Sequence, residues 1–529
     1  MADIKESLVL NPLSVISNFE QSLKSLIFID KSGLLSYLNQ VSGTPEKYIC
    51  VSRPRRFGKT WAANMLGAYY CRGSKAGSLF KDLRIGADPS FETHLNKYNV
   101  VFLNIQNFLS KKPNVSKMIS SIKTEIRNEL KIAYPDFGFS SDLERSFLKV
   151  YHLTGTAFVF IIDEWDCIFR MYKNDATGQR LYLDFLRLLL KDQSYVHLAY
   201  MTGILPIKKY GTHSALNMFD EFSMADPANL AEFTGFTEAE VKELCTRENI
   251  SFEKIKQWYD GYIFKDIHIF NPLSVVRAIR RDSISNYWSK TETFEALKMP
   301  IDLNFSGLKD SILTLMTQNS VKINTSKFQN DMSSFSSSDD VLTLLVHLGY
   351  LSHNPASSEV SIPNNEIREE FKNAVEAASW SGISKLLLNS QKLVEDTWSL
   401  NSFSIEAAIQ EAHNESASIL QYNDENSLCC VVSLAYYAAN EYYILFRELA
   451  SGKGYIDLLF LPRPHYFEKP AILVELKWDK TAKSAIDQVK EKNYPQKILQ
   501  YTGNIILVGL TYEKVSKSRT CVIEQFYKQ

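Results

Sequence analysis

Three groups of residues have the types and spacings that phosphate chemistry needs. The first is Gly58-Lys59-Thr60, which follows an apolar run at 48–51 and leads into Trp61-Ala62-Ala63-Asn64-Met65-Leu66. Read as strand, loop and helix, this is a phosphate cradle. Gly58 lets the backbone approach a phosphate, Lys59 reaches the β- and γ-oxygens, and the Thr60 hydroxyl holds Mg²⁺ at the positive end of the helix. The second group closes the apolar run 158–162 with Asp163 and Glu164. A central strand there delivers both carboxylates to the sheet edge where ligands bind. Asp163 would hold the Mg²⁺ ion, mostly through water, and Glu164 would orient or deprotonate an attacking water. The third group is Asp457 with Glu475-Leu476-Lys477, on two apolar stretches that read as a hairpin. A period of two puts Glu475 and Lys477 on one face, where Asp457 can join them. An Asp and a Glu so placed bind one or two Mg²⁺ ions, which polarise a scissile phosphate, while the lysine orients the nucleophile.

The chain that must position these groups has 529 residues, enough for two to four domains. With 59 Lys and Arg against 60 Asp and Glu, it has no charged tail that would mark out a partner. Residues 1–15 lack a secretory pattern and no apolar run approaches a membrane span, so a cytoplasmic protein with no membrane partner is expected. The seven cysteines are dispersed, with only Cys429 and Cys430 adjacent, which suits reduced thiols and argues against a structural zinc site. Asn-Pro-Leu-Ser-Val occurs at 11–15 and 271–275 in unlike surroundings, a coincidence rather than a repeat.

Before the cradle, the pattern predicts a helix at 14–25, a short strand at 27–29, and Asp30-Lys31-Ser32 capping a helix through Gln40. After it come a buried strand at 98–104, a polar helix at 115–131, a helix at 180–191 and a strand at 195–201 that carries His197 into the core. Thr237 and Glu240 have capping-box spacing. Residues 325–340 turn rich in serine and aspartate, as a loop or hinge does. Helix, hairpin and helix then follow to about 367 in a winged-helix-like pattern, and another helix spans 428–437.

The loop Arg53-Pro54-Arg55-Arg56-Phe57-Gly58-Lys59-Thr60 departs from G-x-x-x-x-G-K-[ST] in placing Arg53 at the first glycine. In that form it resembles the R-P-R-R-F-G-K-[ST] signature of the bacterial AAA-ATPase-like family, which often carries a PD-(D/E)XK nuclease-like domain at its C-terminus. Further blocks resemble the family in order: Asp30-Lys31-Ser32, Thr202-Gly203-Ile204-Leu205, residues 214–220 (with Ala215 where glycine is usual), 235–241, Trp258-Tyr259-Asp260-Gly261-Tyr262, Asn271-Pro272 and Tyr287-Trp288. The resemblance implies that ATP and Mg²⁺ are bound by the whole loop, Phe57 included. It places Thr202 as a γ-phosphate sensor, with a threonine simply satisfied at a strand end as the equal alternative. Arg53, Arg55 and Arg56 either hold phosphates in place of the missing glycine geometry or face a neighbouring subunit of a homo-oligomer. Asp457, Glu475 and Lys477 resemble the three PD-(D/E)XK signature residues. Gln488, with Tyr494, matches that family's Gln and Tyr pattern, and Lys492 lies four residues on. Glu425 stands as an extra acidic ligand, with Asp424 and Glu448 as alternatives.

The expected fold class is therefore α/β. A P-loop NTPase domain of AAA+/RecA-like architecture spans 1–235, a helical lid 236–325, a winged-helix-like region 326–400 and a PD-(D/E)XK nuclease-like domain 401–529. The expected function is ATP binding and hydrolysis coupled to Mg²⁺-dependent cleavage of nucleic acid, DNA in the first place. Defence or mobile-element biology enters by analogy with the family. The alternative is a regulatory ATPase switch whose nuclease-like domain is a non-catalytic binding module.

Overall fold

The computed structural model describes residues 7–526 apart from 113, 208–215, 265, 289–296, 299–300, 302, 304, 330–334, 378–379, 417–424, 452–453, 479–480, 492–500, 502 and 513–518. Its contacts divide the chain into two compact units, Met1–Thr291 with Lys322–Glu366, and Glu292–Val321 with Ile367–Gln529.

In the first unit, the apolar runs become β1 (Tyr48–Ser52), β2 (Asn99–Asn104), β3 (Phe158–Asp163), β4 (Val196–Gly203) and β5 (Asp220–Phe222). They form one parallel sheet in the order β2-β3-β4-β1-β5. A parallel sheet needs crossover helices on both faces, which is why its strands are apolar throughout rather than alternating. Ile49, Val51, Val159, Ile161 and Leu198 pack with the helices α1 (Leu13–Leu23), α2 (Gly33–Val41) and α3 (Lys59–Tyr70). Cys50, Phe158, Phe160, Ile162 and Met201 pack on the other face, with the helices Val115–Ala133, Leu143–Thr154 and Ala176–Leu190. The chain leaves the adjacent strands β1 and β4 in opposite directions, towards β2 and β5. That makes their carboxyl ends the switch point where such sheets bind ligands.

Residues 27–29 are not the short strand that three apolar residues suggest. No neighbouring strand offers them a ladder, and Ile27, Phe28 and Ile29 line a cavity instead. The cap of α2 also differs in detail. Asp30 accepts from Ser32 N at 2.8 Å, whereas the Ser32 hydroxyl accepts from Ile85 N at 3.1 Å.

Beyond β5 the capping box is present: Glu240 accepts from Thr237 N at 2.7 Å and opens the helix Glu238–Arg247. Strands β6 (Phe236–Thr237), β7 (Tyr262–Phe264) and β8 (Ile267–Phe270) make a small antiparallel sheet in the order β6-β8-β7. The Trp-Tyr-Asp-Gly-Tyr block is its joint. Asp260 pairs with His268 Nδ1 at 2.9 Å. Tyr262 packs edge-on against Phe57, with centroids 5.3 Å apart, and donates to Gly349 O at 2.5 Å. Glu238 brings a carboxylate within 4.8 Å of the Asp260 and His268 donor atoms, but Lys242 at 2.5 Å and Lys256 at 3.1 Å neutralise it.

After β9 (Val321–Lys322), the expected helix, hairpin and helix follow as Ser338–Leu348, β10 (Ser352–Asn354) with β11 (Glu359–Ser361), and a helix from Asn365. Glu366 ties this region to residues 274–288, accepting from Ser274 Oγ at 2.9 Å, Tyr287 N at 2.7 Å and Trp288 N at 3.0 Å.

The second unit holds β12 (Tyr443–Ser451), β13 (Gly454–Pro462), β14 (Ala471–Trp478), β15 (Ile505–Tyr512) and β16 (Arg519–Phe526), in sequential order in one sheet. Only β14 and β15 are parallel, and the helix Ala482–Glu491 lies in the crossover between them.

Gly261 has φ +107°, and a Cβ there would lie 2.0 Å from Pro363 O. Gly261→Ala is expected to destabilise the protein by at least about 2 kcal/mol, from backbone strain and a forced backbone separation. Urea unfolding checks this, and a midpoint within error of wild type would refute it.

Candidate nucleotide and metal sites

The phosphate loop starts where β1 runs out. Arg53 N donates to Gly203 O at 3.0 Å, continuing the β1–β4 ladder, and the chain then turns through Arg56 (φ +70°) and Gly58 (φ +87°). Nothing lies within 4 Å of a Cβ built on Gly58, so the backbone conformation rather than crowding calls for glycine there. Lys59 opens α3 with its side chain buried and donates to Pro54 O at 2.8 Å. Burial lowers its pKa, against the opposing pull of Glu164, Asp166 and Asp163.

Strand register sets Asn104, Asp163 and Thr202 side by side, with Val51 opposite Thr202. One Asp163 oxygen accepts from Thr60 Oγ1 at 3.0 Å and Asn104 Nδ2 at 3.2 Å. Among the described residues its other oxygen, Oδ1, is buried with no hydrogen-bond partner, and so is Thr202 Oγ1. Burial and then the charge of Glu164 push the Asp163 carboxyl up to about 6. A buried carboxylate with a vacant lone pair beside a threonine hydroxyl fits a hydrated divalent cation, whose charge would reverse that cost. Thr60 and Asp163 are the residues that would hold Mg²⁺.

Two cavities flank the loop. One, of about 600 Å³, is lined by Arg55, Arg56, Lys59, Thr60, Gln106 and Glu164. The other, of about 470 Å³, is lined by aromatic and aliphatic groups including Phe28, Ile29, Trp61 and Phe233. Both share Arg56, Gly58, Trp61 and Pro272. A charged compartment next to an apolar, aromatic one suits a triphosphate and a base. Lys31 lines the apolar compartment, held by Glu232 O at 2.7 Å and by the Glu240 carboxylate.

The five loop residues ahead of Gly58 divide by burial. Arg55 and Arg56 are exposed and line the charged cavity. Arg53 is wholly buried, contrary to its expected place at the phosphates or a subunit surface. It donates to Ser52 O at 2.8 Å, Phe222 O at 2.7 Å and Thr234 Oγ1 at 2.8 Å, and lies over the Phe264 ring at 5.7 Å. Burial pushes its pKa down to about 10. Arg53 is thus an internal brace that replaces the first glycine. The Phe57 ring is likewise buried, edge-on against Tyr262, while Phe57 is among the residues lining the apolar cavity and its carbonyl accepts from Gly235 N at 3.1 Å.

Glu164 lies just past β3 with φ +53° and pairs with Arg170 Nη2. Arg170 Nε also donates to Asp166 Oδ2 at 2.9 Å, and the same oxygen accepts from Leu205 N at 2.9 Å. Burial alone would lower the Arg170 pKa, but Asp166 and Glu164 outweigh it and raise it. Sequence reasoning passed over Asn104, Asp166 and Arg170. A polar residue ending an apolar run and an acid four residues before an arginine were the available signals.

In the second unit, Leu458 pairs with Val474, and one residue further along Asp457 takes the Leu476 N–H on its own carboxylate at 2.6 Å. Glu475 is buried, and its Oε1 accepts from Lys477 Nζ at 2.9 Å and from Gln488 Nε2. The structure thus brings Glu475, Lys477 and Gln488 into contact, with Asp457 on the adjacent strand bonded to the backbone beside Glu475. Two carboxylates there suit a divalent cation by donor chemistry. Glu425 opens the helix Glu425–Ala435, but its side chain lies outside the described residues, as do Asp424, the Glu448 side chain, Lys492 and Tyr494.

Residues 14–212 match the family model of the predicted AAA-ATPases, and residues 424–524 match that of the PD-(D/E)XK nuclease superfamily. An uncharacterised protein from the vnfD 5′ region of Azotobacter chroococcum mcd 1 is 22% identical over 272 residues, covering 50% of this chain and 51% of that relative. The chain thus spans about half the length of that curated relative. Among solved structures, the Walker-type ATPase PABY2304 of Pyrococcus abyssi aligns at 11% identity and TM-score 0.34, over 65% of this chain and 94% of its own. The Aeropyrum pernix ORC2 protein, in ADPNP and ADP complexes, aligns at 11% identity and TM-score 0.31, over 70% of this chain and 99% of its own.

The raised Asp163 carboxyl has a consequence for stability. The folded protein holds this proton more tightly than the unfolded chain, so the contribution is favourable at low pH. It is lost as pH rises from the ordinary aspartate value of 3.8 to about 6. Asp163→Asn is therefore expected to stabilise the metal-free protein by about 2 to 3 kcal/mol at pH 7.5 and to lose that advantage near pH 4. Melting temperatures of both proteins across this range in EDTA check it. A variant less stable than wild type at pH 7.5 would contradict it.

Proposed function

Because this chain carries an AAA-ATPase-like domain and a PD-(D/E)XK superfamily domain, we infer that it hydrolyses ATP and uses that cycle to control Mg²⁺-dependent cleavage of nucleic acid, DNA in the first place. The observation that carries the reading is the meeting of Thr60, Asn104 and Asp163 at the switch point of the parallel sheet, with Lys59 and Glu164 on the adjoining cavity. In this reading Lys59 exchanges Pro54 O for the β- and γ-oxygens, and Thr202 donates to the γ-phosphate. Glu164 takes the proton from the water that attacks the γ-phosphorus, and ADP leaves. Bound Mg²⁺, held by Thr60 and Asp163, supplies charge neutralisation on the phosphates.

In the second unit, Asp457 and Glu475 would hold Mg²⁺, Lys477 would orient the attacking water, and Gln488 would fix the Glu475 carboxylate. A phosphodiester would break there with the proton passing to the leaving oxygen. The contacts of Glu475 with Lys477 and Gln488, and of Asp457 with Leu476 N, support this, and the cytoplasm is the compartment in which ATP and reduced cysteines coexist.

The test is cleavage of labelled linear and circular DNA with Mg²⁺ or Mn²⁺, with and without ATP, by wild type, Asp457→Ala and Lys59→Ala. Asp457→Ala should lose cutting by on the order of 10²-fold or more. Lys59→Ala should abolish ATP hydrolysis and uncouple cutting from ATP. ATP hydrolysis without any cutting would instead assign the protein to the regulatory switch, with its nuclease-like domain a binding module.

A further inference from the structure

We propose that Arg170 is a positioning residue that holds Glu164 out of the hydrolytic reaction and releases it when the segment after β4 moves. The proposal rests on the ATPase reading and deepens it. Glu164 faces the cavity lined by Lys59 and Thr60, where an attacking water would stand, yet one of its oxygens is committed to the Arg170 guanidinium. A carboxylate bound to a guanidinium has an acceptor site filled by a donor far stronger than water. Arg170 therefore competes with the water for the same group.

The guanidinium is not a loose surface partner. Its side chain is 10% exposed, and its other edge is fixed by Asp166, which is wholly buried. Asp166 in turn accepts the N–H of Leu205, two residues past the end of β4. Leu205, Asp166, Arg170 and Glu164 thus form a continuous series of contacts from the post-β4 segment to the carboxylate. Ser52, at the end of β1, adds a second tie by donating to Leu205 O at 2.9 Å. A partner that drew Leu205 away would remove one of the contacts that hold Asp166, and with it the aim of Arg170. Lysine could not replace the arginine in this role, because one ammonium lacks the planar fork that reaches two carboxylates at fixed angles.

The experiment is steady-state ATP hydrolysis by the full chain in Mg²⁺, alongside affinity for a fluorescent ATP analogue and melting temperature. The variants are Arg170→Ala, Arg170→Lys, Glu164→Gln and the double variant Arg170→Ala with Glu164→Gln. Losing one charged hydrogen bond as competitor should raise kcat about tenfold in Arg170→Ala. KM and analogue affinity should stay within about twofold, because Glu164 does not hold the nucleotide. Arg170→Lys retains a charge for buried Asp166, so it tests the proposal even where the alanine variant fails to fold, and its kcat should also exceed wild type. The double variant should be no faster than Glu164→Gln.

A fall in kcat in folded Arg170→Lys, or full wild-type behaviour in it, would overturn the latch in favour of a scaffold. An increase that survives Glu164→Gln would overturn it too. If neither wild type nor any variant hydrolyses ATP while the analogue still binds, the latch fails and nucleotide binding stands. If nothing binds, the ATPase reading fails as well.

Discussion

A carboxylate buried at the end of a parallel strand is the constraint around which the first unit is arranged. Asp163 sits where β3 leaves the sheet, and taking its charge out of water is costly unless a cation or hydrogen bonds answer it. The protein answers half of it. Thr60 from α3 and Asn104 from β2 share one oxygen, which fixes the start of α3 against two strands, and the other oxygen is left over. That residue of unmet polarity is what makes the place a site rather than a packed core. A position designed only for stability would carry an asparagine or an aliphatic group there.

The loop before α3 is held rigid by contacts far away in sequence. Arg53 reaches Phe222 O and Thr234, Phe57 packs on Tyr262, and a Cβ on Gly349 would meet Pro54 at 2.7 Å. The β6-β8-β7 sheet and the helix-hairpin region therefore brace the phosphate loop itself. A buried guanidinium donating to Ser52 O, Phe222 O and Thr234 Oγ1 also defines one geometry sharply, since its donors are fixed in a planar fork. This accounts for an arginine at the position where glycine is usual: the loop gains its shape from a tertiary brace rather than from a flexible backbone.

How much of this was legible depended on range. Gly58-Lys59-Thr60 and the strand ending in Asp163-Glu164 could be read because their geometry is set by neighbours in sequence: a left-handed turn before a helix, and an apolar run before acids. The two-residue period likewise placed Glu475 and Lys477 together. The strand expected at 27–29 failed because pairing is a tertiary matter, and an isolated apolar triplet serves equally well as a cavity wall. Arg53 misled because arginine is seldom buried, and two of the groups that receive it, Phe222 O and Thr234 Oγ1, lie 169 and 181 residues further on in the chain. Within Trp-Tyr-Asp-Gly-Tyr the need for glycine was not legible, since Gly261 matters only once Pro363 lies against it.

The two reactive groups of the nucleotide site are both engaged internally, and in unequal bonds. Lys59 donates to a neutral carbonyl, a contact worth about 1.5 to 3 kcal/mol, which a phosphate oxygen readily exceeds. Glu164 is held by a buried guanidinium that Asp166 also holds, where removing one partner costs about 3 to 5 kcal/mol. A nucleotide can therefore capture the lysine by its own charge, whereas the guanidinium is already shared by two carboxylates and yields less readily to a phosphate. On the proposed reading, phosphate binding and readiness for hydrolysis are separate events, and the second runs through the Asp166–Leu205 contact, which no part of the nucleotide needs to touch.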